Sequence, residues 1–332
     1  MSLDPMAPLA GSTASLCGPL MGVTLVTNDA AVTVQFLTQV MRMQLERERV
    51  PSPAEARQCR DLWGLAADVH WREWHLVATV SESEVYVRVL EMPGGQLIRP
   101  AMESRLAGGL SIGFPVASLE RTLERVSRLG VESTAGIVPL TITRPDGTTY
   151  VSGEIMFRGP EAIYMLVVGR PADMTPVGPI DPVTGIGGPA YSAMVVPDGI
   201  REIEFYREVL GWEARQNIVL TTSGPAGGLG LDPGTQFRFV QLFAPGATSA
   251  YVVLLDMMAV ARRNPVAPRM PNRGLVMWTF GSHKFDEVER RGRAAAADSA
   301  LCSNLRVGVA EGARALTIHS PAGLMIEIRE QP

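Results

Sequence analysis

Two segments of the sequence resemble each other, and this internal repeat limits the fold more than any other feature. Residues 191–212 read YSAMVVPDGIREIEFYREVLGW, and residues 22–43 read GVTLVTNDAAVTVQFLTQVMRM. Four identical residues coincide when the segments are aligned without a gap: Val26, Asp29, Phe36 and Val40 match Val195, Asp198, Phe205 and Val209. Each segment predicts an alternating apolar strand, a turn and an amphipathic helix. The chain is therefore predicted to be a duplication.

Further copies of the same unit follow from the positions of the predicted first strands, which begin near residues 22, 111, 191 and 275. Their near-regular spacing predicts four modules of one strand, one helix and several further strands. Module one also contains an insertion, residues 50–65. A helix is expected to begin there at Ser52 and Pro53, because proline is favoured at the first helical position.

The motifs of these modules resemble one known superfamily. Residues 191–212 combine a strand, an Asp at the turn, and a helix with Phe-Tyr followed by Val-Leu-Gly, and residues 316–330 read LTIHSPAGLMIEIRE. This pattern is similar to that of the vicinal oxygen chelate superfamily, the glyoxalase, bleomycin-resistance and extradiol dioxygenase group. The resemblance covers nearly everything after about residue 20. It implies an α+β fold of four βαβββ modules, paired into two glyoxalase-like domains whose curled, mostly antiparallel mixed sheets surround a cup.

A domain organisation follows from the module positions and from local composition. Residues 1–18 are predicted to be a flexible leader, and residues 19–170 an N-terminal glyoxalase-like domain of modules one and two. Residues 171–189 are rich in Pro and Gly and are predicted to be a linker. Residues 190–332 are predicted to form the C-terminal glyoxalase-like domain, with modules three and four.

Composition narrows the function classes. A net charge of −4 with 19% charged residues provides no basic surface for nucleic acid. No stretch approaches the ~20 continuous apolar residues of a membrane span. The three cysteines, Cys17, Cys59 and Cys302, are odd in number and fit unpaired thiols in a reducing compartment, so a cytoplasmic location is expected. The resemblance adds a homodimer as a candidate assembly.

Strand alternation predicts which side chains face the cups, because the face beneath a helix must be apolar. Three polar residues are predicted to be catalytic: Glu327, His319 and Tyr191. Glu327 and His319 are expected to share the concave face across a hairpin, where the carboxylate would orient the imidazole or simply brace the turn. Tyr191 would donate a hydrogen bond to a ligand or fill the cup. The predicted ligand-binding residues are Arg88, Ser111, Met277, Thr279, Met325 and Arg329.

The resemblance also raises the question of a metal ion. Metal-dependent members take ligands from the first strand of two paired modules, seven residues before the helix turn, and a Glu near the chain end. In this sequence those first-strand positions hold Gly22, Ser111, Tyr191 and Leu275, and the closing positions hold Leu166 and Glu327. One carboxylate among such residues does not make a first-row metal site. We therefore expect no divalent metal cofactor.

Three functions remain as hypotheses. The first is a metal-independent lyase, isomerase or ring-opening enzyme acting on a small hydrophobic substrate, for example an aromatic one. The second is a non-catalytic protein that sequesters a small molecule, such as a drug, in its cup. The third is a metal-dependent extradiol dioxygenase or glyoxalase, which requires the ligand positions to be shifted relative to the alignment.

Overall fold

The computed structural model describes residues 15–100, 103–143, 148–222, 228–260, 262, 264–297 and 301–332. This described part of the chain forms two eight-stranded mixed sheets and five α-helices. The strands are β1 (Leu20–Thr27), β2 (Gln44–Arg49), β3 (Arg72–Val77), β4 (Tyr86–Glu91), β5 (Gly108–Pro115), β6 (Val138–Thr143), β7 (Thr149–Arg158), β8 (Tyr164–Gly169), β9 (Tyr191–Val196), β10 (Glu213–Thr221), β11 (Gln236–Phe243), β12 (Tyr251–Asp256), β13 (Gly274–Ser282), β14 (Ser303–Ala310), β15 (Ala313–His319) and β16 (Met325–Glu330). The helices are α1 (Ala30–Gln39), α2 (Pro53–Trp63), α3 (Leu119–Arg128), α4 (Gly199–Phe205) and α5 (Phe285–Ala297).

The repeated Asp of the sequence has a local structural role in two modules. Asp29 precedes α1 and accepts a hydrogen bond from Val32 N at 3.2 Å. Asp198 precedes α4 and accepts hydrogen bonds from Ile200 N and Arg201 N, both at 3.1 Å. Each carboxylate satisfies an N–H group that the first helical turn leaves without a partner. The repeat therefore preserves a helix start.

Strand order confirms the four modules but changes their pairing. The first sheet has the order β14-β15-β16-β13-β1-β4-β3-β2, and the second has the order β10-β11-β12-β9-β5-β8-β7-β6. Strand β1 pairs antiparallel with β13, and β5 pairs antiparallel with β9. Modules one and four therefore share the first sheet, and modules two and three share the second. The predicted paired, curled, mixed sheets are confirmed, whereas the assignment of modules one and two to one domain is wrong.

Two connections carry the chain between the sheets and explain this pairing. Residues 92–107 lead from module one to module two, and residues 257–273 lead from module three to module four. The two connections run side by side, with Leu97 bridged to Arg273 and Leu106 bridged to Arg262. The chain thus leaves the first sheet and returns to it along the same path.

The composition of residues 171–189 predicts a linker between independent domains, but the structure shows that they are not one. They connect two modules of the same sheet, and Val177 and Ile186 are 5% and 2% exposed within the apolar core. Gly187 N donates to Pro115 O at 2.9 Å, which attaches the segment to β5. Local composition identified irregular backbone correctly but gave no information about packing.

The end of the predicted leader is also packed. Leu16 and Cys17 are buried, Cys17 N donates to Leu210 O at 3.1 Å, and Ser282 Oγ donates to Leu16 O at 2.6 Å. Residues 15–18 therefore belong to the folded core, contrary to the prediction. The rest of the predicted leader, residues 1–14, lies outside the described residues.

Helices α1, α3, α4 and α5 cover the convex faces of the sheets, and the largest apolar cluster lies between these helices and the strands. Trp278 on β13 donates from Nε1 to Ser192 Oγ on β9 at 2.8 Å, and Ser192 Oγ donates to Ser111 O at 2.8 Å. This buried chain of hydrogen bonds joins the two sheets. Each sheet's opposite, concave face is left for a cup.

The pairing of modules one and four predicts how separated halves behave. A fragment of residues 1–170 holds module one without its partner strand β13, so we expect it to unfold without a cooperative transition. The same is expected for residues 171–332, and mixing the two should restore a cooperative thermal transition. Circular dichroism melting checks this. A cooperative melt of the 1–170 fragment alone would contradict the shared sheet.

Candidate functional site

Glu327 lies at the centre of the first cup, which we define as the concave face of the first sheet around Thr24, Arg88, Thr279, Thr317 and Glu327. Its side chain is fully buried. Oε1 accepts hydrogen bonds from Arg88 Nη2 at 3.2 Å, Arg329 Nε at 2.9 Å and Thr279 Oγ1 at 3.3 Å. Oε2 accepts a hydrogen bond from Trp63 Nε1 at 2.9 Å. Both carboxylate oxygens are therefore engaged within the protein.

The charge of Glu327 is fixed by these neighbours. Burial acts most strongly and would raise the pKa of this carboxyl, but Arg329 and Arg88 outweigh it and hold the pKa at about 2. Burial would lower the pKa of the Arg88 guanidinium group, but the charge of Glu327 outweighs this effect and raises the pKa above its usual value. Glu327 is thus ionised at neutral pH and has no proton to donate. Its arrangement matches a buried ion pair better than a general acid.

Helix α2, formed by the insertion of module one, covers this centre. It begins at Ser52 and Pro53 as predicted, with a capping box in which Ser52 Oγ accepts from Glu55 N at 3.3 Å and Glu55 Oε2 accepts from Ser52 N at 2.8 Å. At its other end Leu62 O accepts from Thr317 Oγ1 at 2.6 Å. Trp63 then lies against Arg88, whose guanidinium carbon is 5.3 Å from the ring centroid. The helix closes the first cup over Glu327.

A second charged cluster, which was not predicted from the sequence, lies at the module-one end of the first cup. His75 Nε2 is 2.8 Å from Glu73 Oε1, and the donor atoms of Glu73, His75 and Glu311 all lie within 4.8 Å of one another. However, Arg49 Nε is 3.0 Å from Glu73 Oε1, and Arg329 Nη1 is 2.9 Å from Glu311 Oε2. These carboxylates are already neutralised by guanidinium groups. The cluster is a salt-bridge network that holds β2, β3 and the β14–β15 turn together.

The structure corrects one of the predicted metal-ligand positions. Helix α5 begins at Phe285, so counting back seven residues from Lys284 gives Met277 in place of Leu275. The four first-strand positions are therefore Gly22, Ser111, Tyr191 and Met277. In each module, the residue two positions after the first-strand position pairs with a residue of the closing strand, and this pairing identifies the closing position of the module. The pairs are Thr24 with Arg88, Gly113 with Leu166, Ala193 with Val253, and Thr279 with Glu327.

These positions do not fit a divalent metal in either cup. The first cup offers Gly22, Met277, Arg88 and Glu327, and the second offers residues without a carboxylate or imidazole. Arg88 occupies the position in module one that Glu327 occupies in module four, and its guanidinium group binds the Glu327 carboxylate directly. This position therefore holds a cation of the protein itself and not a second carboxylate that could bind a metal.

His319 and Glu327 do not form the predicted couple. In the hairpin β15–β16, Thr317 lies opposite Glu327 and His319 lies opposite Met325. The imidazole Nδ1 is instead 3.1 Å from Asn304 Nδ2. Burial, together with Arg269 and Arg306, lowers the pKa of His319 to about 4, so the ring is neutral at pH 7. Strand parity placed His319 on the correct face, but the sequence did not reveal which neighbour it would have.

The remaining predicted site residues divide between the two sheets. Thr279, Arg88 and Arg329 join Glu327 in the first cup, and Met277 and Met325 belong to an apolar cluster in the same sheet. Ser111 and Tyr191 lie on the second sheet. The three predicted catalytic residues are therefore not brought together. The roles assigned to all of these residues remain predictions.

Tyr191 belongs to an aromatic wall in the second cup, which we define as the concave face of the second sheet around Ser111, Leu166, Tyr191, Phe243 and Tyr251. The rings of Tyr191 and Tyr251 are stacked with centroids 5.0 Å apart, and those of Tyr251 and Phe243 are 4.4 Å apart. The Tyr191 ring lies directly over Gly113, where a Cβ would come within 2.1 Å of a ring atom. Glycine at this position therefore lets the tyrosine lie flat against the sheet.

On the second sheet, the concave residues are slightly less completely buried than the residues between them. On β12, the concave residues Val253 and Leu255 are 4% and 6% exposed, whereas the intervening Val252 and Leu254 are completely buried. The same alternation occurs on β8, where Tyr164 and Leu166 are slightly exposed and Met165 and Val167 are not. In the first cup, by contrast, Thr24, Thr279 and Glu327 are completely buried.

Part of the β10–β11 connection lies across this second cup. Thr134 Oγ1 donates to Gly228 O at 3.0 Å, and Ser104 Oγ donates to Leu229 O at 2.5 Å. Leu231 is buried in the same apolar cluster as Tyr191. The segment occupies the same place in module three as α2 does in module one, between the second and third strands. It supplies an apolar cover in place of the tryptophan cover of the first cup.

Glu154 is a functional candidate that the sequence did not reveal. It lies on β7, two residues from Met156, which is paired with the concave residue Leu166, so Glu154 shares the concave face. Burial raises its pKa to about 7. Its charge also contributes to the raised pKa of Tyr191 and Tyr251, which places it near the aromatic wall. The sequence signal that could have revealed Glu154 was an acidic residue at a cup-facing position of an apolar strand.

Comparison with known proteins identifies the fold. No protein-family model and no curated protein matches this chain. Among solved structures, glyoxalase I from Zea mays superposes with a TM-score of 0.60 at 13% identity, covering 94% of this chain and 92% of that one. A mutant of the maize enzyme gives a TM-score of 0.61 at 12% identity, covering 94% and 93%. A proposed dioxygenase from Bacillus subtilis gives 0.57 at 12% identity, covering 96% and 86%.

The chain has the glyoxalase fold. At these identities the likeness concerns the fold alone. Among the described residues, no helix has the length and apolar character that a membrane crossing requires.

The buried ion pair gives a prediction about stability. Glu327→Gln leaves the cation of Arg88 buried without its carboxylate, and we expect a loss of roughly 3–5 kcal/mol in the free energy of unfolding. Arg329 retains Glu311 in that variant. The double variant Arg88→Met/Glu327→Gln removes both charges and should recover most of the loss. Urea unfolding of the single and double variants measures the coupling. Strictly additive losses would show that the two side chains do not act as a pair.

Proposed function

We propose that the protein binds a small, uncharged aromatic molecule in the second cup and does so without a metal ion. The observation that carries this proposal is the alternation on the second sheet. Its concave residues are less completely buried than their neighbours on the same strands, and three stacked rings line that face. An apolar, aromatic wall with a few polar groups is the usual lining of a small-molecule site.

The comparison between the two cups supports this choice. The centre of the first cup is filled by Glu327 and its partners and is covered by Trp63. In the second cup, Ser111 Oγ is buried and has no hydrogen-bond partner among the described residues. An unsatisfied buried hydroxyl is costly, and a ligand atom that accepts or donates a hydrogen bond would satisfy it. Ser111 therefore gives the site a polar contact beside the aromatic wall.

Glu154 favours a catalytic function over simple sequestration. A carboxyl with a pKa of about 7 exists in both protonation states near neutral pH, which suits a group that accepts and returns a proton. Burial raises the pKa of Tyr191 and Tyr251, so both phenols stay protonated and can donate hydrogen bonds. We infer that an enzymatic activity of this site would be a proton-transfer reaction of the lyase or isomerase type. Binding without turnover is the second candidate, and Tyr191→Phe and Glu154→Gln distinguish the two once a ligand is known.

The uncharged fluorophore N-phenyl-1-naphthylamine tests binding in the second cup. We expect saturable fluorescence enhancement with the wild-type protein, and a weakening of about tenfold or more in Ser111→Phe, because the larger side chain fills the concave face. Ser81→Phe, at an exposed turn, is the matched control and should bind as the wild type does. Prior treatment with EDTA should change nothing. Unaltered binding in Ser111→Phe, or loss after EDTA, would contradict the proposal.

The raised pKa of Glu154 gives a second, independent prediction. Between about pH 4.5 and pH 7 the carboxyl ionises in the unfolded chain but stays protonated in the folded protein, so its contribution to stability is lost as the pH rises through that window. Glu154→Gln removes this loss. The variant should therefore be more stable than the wild type at pH 8, by roughly 1–3 kcal/mol, and close to it at pH 4.

Urea unfolding across this pH range measures the difference. Glu204→Gln, on the exposed side of α4, is the control and should show no such pH-dependent gain. Burial also raises the pKa of Glu202 to about 7. Glu202 is present in every variant, so its effect on stability cancels from the comparison. A parallel stability profile for Glu154→Gln and the wild type would mean that Glu154 is solvated.

A further inference from the structure

A cavity of about 420 Å³ opens at the module-four end of the first sheet, apart from the second cup. Its walls come from the C-terminal end of α2 and residues 64–69, the turn at residues 269–272, and strands β14, β15 and β16. Its volume lies within the range of small-molecule sites. The cavity adjoins the first cup, with which it shares Trp63 and Thr317, but Glu327 and Arg88 do not line it.

The charge of this cavity has one sign. Arg269 and Arg306 line it, and none of its described lining residues is acidic. Elsewhere in the first cup the guanidinium groups are paired with carboxylates, as Arg88 is with Glu327 and Arg329 is with Glu311. Arg269 has no side-chain hydrogen bond or ion pair among the described residues, and Arg306 donates only to a backbone carbonyl, Asp61 O, at 3.4 Å. Two cations without a counter-charge thus face one opening.

A backbone irregularity brings neutral donors to the same opening. The pairing of β14 with β15 shifts between Ser303 and Arg306, and Asn304 within the shift has a φ of 55°. This bulge turns the Asn304 side chain towards His319. His319 Nδ1 lies 3.1 Å from the Asn304 side-chain amide, and the ring is neutral at pH 7. The opening therefore presents an amide and a neutral imidazole beside the two guanidinium groups.

The other walls are apolar. Trp63, Met270 and Met325 are each at most 5% exposed and line the cavity. Methionine adapts to ligands of different shape, and the indole offers a flat surface. An inorganic anion would leave these surfaces without a partner. The combination favours an anionic group attached to an apolar body.

We propose that this cavity is a binding site for a small organic carboxylate, whose charged end lies between Arg269 and Arg306 and whose apolar body rests on Trp63 and Met325. The planar guanidinium groups match the geometry of a carboxylate. Asn304 and His319 complete the set of donors around it. This site is independent of the aromatic site in the second cup and requires no reaction.

Isothermal titration of the full-length protein with 1-naphthoate, and with its uncharged methyl ester as the matched ligand, tests the proposal. In the Ser111→Phe background, in which the second cup is closed to the uncharged ester, we expect naphthoate to bind at least tenfold more tightly than the ester. Arg269→Gln and Arg306→Gln should each weaken naphthoate binding about tenfold or more and leave ester binding unchanged. Both arginines are exposed, so the variants should fold, which their melting temperatures will show. Arg128→Gln, on the exposed face of α3, controls for a general loss of positive charge.

Two further measurements separate this site from the second cup. Ser111→Phe, designed to close the second cup, should bind naphthoate at this cavity as the wild type does, so failure of one proposal leaves the other standing. The His319 imidazole resonances should shift on addition of naphthoate but not of the ester. Equal binding of naphthoate and ester in the Ser111→Phe background, unchanged naphthoate binding in both arginine variants, or an unmoved His319 resonance would each overturn the proposal.

Discussion

The ion pair between Arg88 and Glu327 is the interaction on which the first sheet depends. The two residues occupy equivalent positions in modules one and four, and they meet where β1 and β13 bring those modules together. A pair of carboxylates at these positions would repel each other unless a cation lay between them. Here one of the two positions carries the cation itself. Arginine at position 88 therefore stabilises the contact between modules one and four, and it also removes a carboxylate ligand that a divalent metal would need.

The two cups differ because different inserts cover them. In module one the connection between the second and third strands forms α2, and its Trp63 donates to Glu327. In module three the equivalent connection places Leu229 and Leu231 beside the aromatic wall. A hydrogen-bonding cover therefore lies over a charged centre, and an apolar cover lies over an apolar one. Each insert matches the polarity beneath it, and the duplicated scaffold carries two different surfaces.

Much of the fold could be predicted from the sequence because the relevant signals are local. Alternation placed Arg88, Thr279 and Glu327 on one face, and Ser52 with Pro53 marked the start of α2. The partner of each module could not be predicted in this way, because strand pairing across some 250 residues leaves no trace in composition. The cationic cavity could not be predicted for a related reason, because it depends on distant segments converging, and the bulge at Asn304 that redirects His319 has no clear local signature.

The return of the chain to its first sheet affects the order in which the protein can assemble during synthesis. Modules two and three are contiguous, so their sheet can form as soon as β12 has left the ribosome. Module one is translated earlier, yet the inner edge of β1 has to wait for β13, and Arg88 has to wait for Glu327 on β16. Until then a nascent polypeptide exposes an apolar strand edge and an unneutralised guanidinium group. Chaperone capture is therefore expected to concentrate on the part of the chain that is made first.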